Sequence, residues 1–85
     1  SVLYLKGIRD YITAMPTKNK GIKTAYLAQL SVIERSLSKK QTKPAISQIQ
    51  ALEKETNSYI KTKLIAKTDG EALLGMLGRL KKLME

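Results

Sequence analysis

The sequence predicts an all-α domain, a small antiparallel four-helix bundle, and three observations predict it. Apolar residues recur at three- and four-residue steps in four separate segments. The connections between these segments are short and polar, with the lengths typical of helix–helix links. The chain has 85 residues and no Cys, so it holds one small core, and the stripes must bury one another without a disulfide to help.

The first helix is expected at about residues 2–15, where Tyr4, Leu5, Ile8, Tyr11, Ile12 and Met15 make one apolar face. Pro16 disfavours helical geometry at Met15 and ends it there. "TKNKG" follows as a loop in which Asn19 can cap the second helix, about 21–38, with its stripe Ile22, Tyr26, Leu30, Ile33 and Leu37. "SKKQTK" then reads as a solvated turn, and its lysines suit the negative end of the second helix. Pro44 fits the first turn of a third helix, about 43–60, with Thr42 or Lys43 at the cap and Ala45, Ile49, Leu52, Thr56, Tyr59 and Ile60 inside. Leu64 and Ile65 in "KTKLIAK" are expected to plug the bundle end. Thr68-Asp69-Gly70-Glu71 reads as a capping box opening the fourth helix, about 69–84, whose stripe is Leu73, Leu77, Leu80 and Met84, widened by Leu74 and Met76. Gly75 falls opposite that stripe and Gly78 near its polar edge.

Composition removes several classes of function. Histidine and cysteine are absent, and with them the commonest general base, the commonest metal ligand and all thiol chemistry. The acids Asp10, Glu34, Glu53, Glu55, Asp69, Glu71 and Glu85 form no paired set: Glu53 and Glu55 point to different helix faces, and Asp69 and Glu71 serve the cap. No catalytic residue, metal site or cofactor is therefore expected. The glycines of "DGEALLGMLG" lack the Lys-Ser/Thr ending and the preceding strand of a phosphate loop. No apolar run is long enough to span a bilayer. The start at Ser1, without methionine, is read as a processed product or a fragment of a longer protein.

A net charge of +9 favours anionic partners without choosing among them. In an antiparallel bundle the first and third links share a pole, which groups Lys18, Lys20, Lys61, Lys63 and Lys67 as the candidate binding residues. The second link, both termini, Lys81 and Lys82 gather at the other pole, which is basic as well. Nucleic acid is the rival partner, but the arginines Arg9, Arg35 and Arg79 lie on three different helices. The tyrosines fall on core stripes, where they pack and do not stack on bases.

"GIKTAYLAQLSVIERSLSKKQTKPAISQIQALEKETN", residues 21–57, resembles the FIMAH domain and its relatives, small helical modules usually at the C-terminal end of secreted or surface bacterial proteins. The similarity rests on Gly21-Ile22, leucine-type positions at Tyr26, Leu30 and Leu37, and the run Ala45, Ile46, Ile49, Ala51, Leu52 after a polar turn. "KLIAKTDGEALLGML", residues 63–77, is similar to the family's later Lys-Ile segment and Leu-rich last helix. The resemblance implies a non-catalytic accessory module of an exported protein, often a hydrolase, with attached domains in a longer chain and an extracellular or cell-wall location. Its expected role is protein or cell-surface interaction, or spacing. The lysine pole, and not the resemblance, points to an anionic cell-wall polymer or an acidic protein as the partner, against the plainer reading that these lysines only keep the domain soluble. A basic nucleic-acid binder and a free-standing regulatory or immunity-type helical protein are the alternatives.

Overall fold

The computed structural model describes residues 2–84 and contains four α-helices: α1 (Val2–Ala14), α2 (Lys20–Ser38), α3 (Thr42–Lys61) and α4 (Lys67–Met84). Each helix packs on its two neighbours in a closed ring, α1–α2–α3–α4–α1, and the backbones of the diagonal pairs stay apart across the core. The molecule measures 34 × 18 × 17 Å, one helix length by two helix widths, so the short links force antiparallel neighbours. This is an all-α four-helix bundle, as the stripes predict. The links α1–α2 and α3–α4 lie at one pole, called here the groove pole. Both ends of the described chain lie at the other.

The core is made of the predicted stripes. Leu5, Ile8, Ile12 and Met15 from α1 and its end meet Ile22, Tyr26, Leu30 and Ile33 from α2. Ile49 and Leu52 from α3 and Leu73, Leu77 and Leu80 from α4 complete it, with Ile65 closing the groove pole. Leu64 beside it is half-buried, and neither residue is in a strand. Leu37 packs half-buried against the core, and its neighbour Ser36 is buried as well and donates to Gln48 Oε1 at 3.0 Å. Every tyrosine packs on or beside the core, as expected.

Helix ends follow local chemistry, with two corrections. Asn19 caps α2, its Oδ1 accepting from the Ile22 N–H at 3.1 Å. Neither Thr42 nor Lys43 caps α3: the cap is Gln41, which makes no side-chain cap bond, and Pro44 sits inside the first turn. The capping box at Thr68 is absent, because α4 starts at Lys67, with Gly70 N–H already bonded to the Ala66 carbonyl at 2.9 Å. Thr68 and Asp69 are therefore first-turn residues. α2 and α3 end alike. Gln41 N–H reaches Ser36 O and Lys40 N–H reaches Leu37 O; Leu64 N–H reaches Tyr59 O and Lys63 N–H reaches Ile60 O. These paired bonds satisfy the last carbonyls and need a left-handed residue, here Lys40 (φ 59°) and Lys63 (φ 60°) where glycine is usual.

A polar seam crosses the α2–α3 interface. Glu55 accepts from Gln29 Nε2 at 2.8 Å and from the Tyr59 hydroxyl at 2.6 Å, while the Tyr59 ring meets Tyr26 edge-on at 5.6 Å. Burial first, then the bond to Glu55 and its charge, push the Tyr59 phenol up to about 12. Because the folded value lies above the ordinary phenol value of about 10, Tyr59 stabilises the fold fully below that value. The contribution is lost as pH rises toward about 12. Melting temperature is therefore expected to fall across this alkaline window, and Tyr59→Phe is expected to flatten the fall relative to wild type. Equal slopes would remove the assignment.

Candidate functional site

The groove pole is built by two links that are distant in sequence. The Lys18 N–H donates to the Leu64 carbonyl at 3.1 Å, joining the α1–α2 link to the α3–α4 link. Between them lies an open groove of about 480 Å³. Its apolar lining is Ile60, Leu64 and Ile65, which are buried or half-buried, together with the exposed Pro16 and Ala66. Lys18, Lys63 and Lys67 stand around it. A second, more polar recess of about 540 Å³ shares Pro16, Thr17 and Lys18 and continues to Lys20 and Lys23. Thr17 Oγ1 donates to the Asn19 carbonyl and Lys23 Nζ to the Thr13 carbonyl, both at 2.9 Å, which shapes that recess.

Of the lysines grouped by sequence, the fold brings Lys18, Lys63 and Lys67 to the apolar groove and Lys18 and Lys20 to the recess. Lys61 lines neither. No carboxylate lines either concavity. Among the described residues, none of these five lysines forms an ion pair; the pairs present are Lys6–Asp10, Arg9–Glu34 and Lys81–Glu53. At the other pole Lys81 is held by Glu53 at 2.7 Å, while Lys39, Lys40, Lys43 and Lys82 are in none of these pairs, so the poles differ by the concavities and not by charge alone. Asp69, next but one to Lys67, is engaged from α1: the Tyr11 hydroxyl donates to it at 2.8 Å. That bond is the main cause of a raised Tyr11 phenol value, with burial and the Asp69 charge adding to it.

Helix electrostatics set two of these lysines apart. Lys20 and Lys67 are the first residues of α2 and α4. The helix dipole disfavours positive charge there, by ~0.3–1 kcal/mol per site. Helix stability does not account for lysine at either place. Lys61, by contrast, lies in the last turn of α3, where positive charge is favourable.

Among the described residues no cluster of acids could hold a metal ion, and no helix is long and apolar enough to cross a membrane. No family model, curated protein or solved structure matches this chain.

Proposed function

We propose that this protein is a non-catalytic binding module, an accessory part of an exported bacterial protein, whose groove pole attaches it to an anionic partner. The observation that carries the reading is the placement of unpaired lysines around concavities without a carboxylate, two of them where they work against their own helices. An anion bound there relieves that repulsion. The resemblance of residues 21–57 and 63–77 to FIMAH modules supports the accessory role and the exported setting. The arginines give no concentrated surface for reading bases: Arg9 is drawn toward Glu34 at 3.6 Å, and the tyrosines are packed.

The test separates position from total charge. One variant replaces Lys18, Lys20, Lys61, Lys63 and Lys67 with glutamine; its control replaces Lys39, Lys40, Lys43, Lys54 and Lys82, which leaves the same net charge. On immobilised polyglutamate and on purified cell-wall polymer, the first is expected to elute at clearly lower salt than the control. Equal elution would mean that only overall charge matters. Tighter retention on duplex DNA than on either acidic matrix at matched salt would favour the nucleic-acid alternative.

A further inference from the structure

We infer that the groove between the α1–α2 and α3–α4 links is a docking site for an acidic protein segment. That segment inserts one large apolar side chain between Lys18, Lys63 and Lys67. The inference rests on the reading of the groove pole as an anion-binding surface and specifies its partner. Charge complementarity requires carboxylates or other anions beside the three ammonium groups, because no carboxylate of this chain lines the groove. The floor asks for something more. Ile60, Leu64 and Ile65 form an apolar base that a purely polar polyanion leaves uncovered, whereas an apolar side chain would fill it. The volume of about 480 Å³ lies within the ~300–1,000 Å³ range of ligand clefts.

Shape argues against a bilayer as the occupant. Membrane insertion needs apolar side chains that protrude, yet the large exposed ones are Leu3, Val32 and Leu83. Leu3 and Leu83 lie at the opposite pole and Val32 midway along α2. At the groove pole the large aliphatic side chains Ile60, Leu64 and Ile65 are buried or half-buried while Lys18, Lys63 and Lys67 are exposed, so the partner must supply the protrusion. The Lys18–Leu64 backbone bond ties the two walls together, so the site is largely preformed. Lys63 has a particular place in it. Its left-handed backbone would be held with less strain by glycine, yet this position carries one of the groove's three charges.

A displayed library of random peptides panned on the intact protein tests this. The same library is panned on Lys18→Gln/Lys63→Gln/Lys67→Gln, and far-ultraviolet circular dichroism confirms that both proteins are folded. Wild type is expected to enrich peptides with acidic residues flanking one large apolar residue, and the triple variant is expected to lose that enrichment. For a synthetic peptide from the enriched set, replacing the apolar residue with serine should weaken binding at least tenfold. Lys63→Gly should weaken it severalfold while raising the unfolding midpoint, which separates binding from folding. Acidic peptides enriched without regard to an apolar residue would overturn the docking site and leave the anion-binding pole standing. Anionic phosphatidylglycerol vesicles bound in preference to every enriched peptide would overturn it in favour of a lipid surface. No enrichment, together with no retention on polyglutamate or cell-wall polymer, would remove both readings.

Discussion

Gly70→Ala is expected to destabilise the fold by about 1–3 kcal/mol, the usual cost of overpacking. Gly75→Ala and Gly78→Ala are each expected to stabilise it by up to about 1 kcal/mol. The same chemical change reverses sign along one helix. Gly70 is buried, and a methyl group there would overlap Cγ1 and Cδ1 of Ile60 and crowd Ile65. Gly75 and Gly78 face open space, so alanine brings only its better helix propensity. Urea midpoints measure all three. Shortening the obstructing side chain supplies the control: Gly70→Ala/Ile60→Ala should cost less than the two single changes added together. If Gly70→Ala were neutral, the close approach of α4 to the end of α3 would not be a constraint. Ile60 is also part of the groove floor, so this approach joins core packing to the shape of the site.

The second large effect concerns a buried hydroxyl pair. Thr56 Oγ1 donates to the Leu52 carbonyl at 2.8 Å, which leaves it as the acceptor for the Tyr26 hydroxyl at 2.7 Å. Both residues are buried, with Thr56 at 0% exposure and Tyr26 at 1%. Thr56→Val keeps the volume but strands the Tyr26 hydroxyl, at a cost of about 1–3 kcal/mol. Tyr26→Phe leaves Thr56 bonded to Leu52 and is expected to cost only about 1 kcal/mol. Once the phenol is gone, adding Thr56→Val should cost little more. A double-mutant cycle on unfolding free energies measures the difference, and additive costs would show that the two hydroxyls do not depend on each other.

The fold was legible because its signals are local and periodic. Ile49, Leu52 and Thr56 share a face by spacing alone, and Asn19 caps α2 because a short polar side chain stands one residue before the helix. Errors arose where a local pattern competed with tertiary packing. Thr68 and Glu71 have the spacing of a capping box, but the turn after Lys63 is tight enough for α4 to begin at Lys67. Leu37 packs half-buried against the core, as its place in the stripe predicts, while Ser36 beside it is buried with its hydroxyl donating to Gln48 across the α2–α3 interface, a contact that apolar spacing does not reveal.

The candidate site was half legible. Its charges could be grouped from connectivity, since any antiparallel arrangement brings Lys18 near Lys63 and Lys67. Its concavity could not, because it needs Pro16 from the first link beside Ile60, Leu64 and Ile65 from the end of α3 and the third link, and a backbone bond between links 46 residues apart (64 − 18). Nor does spacing reveal that Tyr11 draws Asp69 toward α1, or that Glu53 holds Lys81 at the far end. The concavities, and not the number of lysines, distinguish two poles that composition alone makes equally basic.

An even number of antiparallel rods sends Val2 and Met84 out on the side away from the groove. A segment joined at either end would start from the pole opposite the proposed docking face. Because α1 and α4 lie side by side, a short engineered linker should join the ends. The ring could then be reopened at the Lys39–Lys40 turn as a circular permutant, with both new ends again leaving the groove unobstructed.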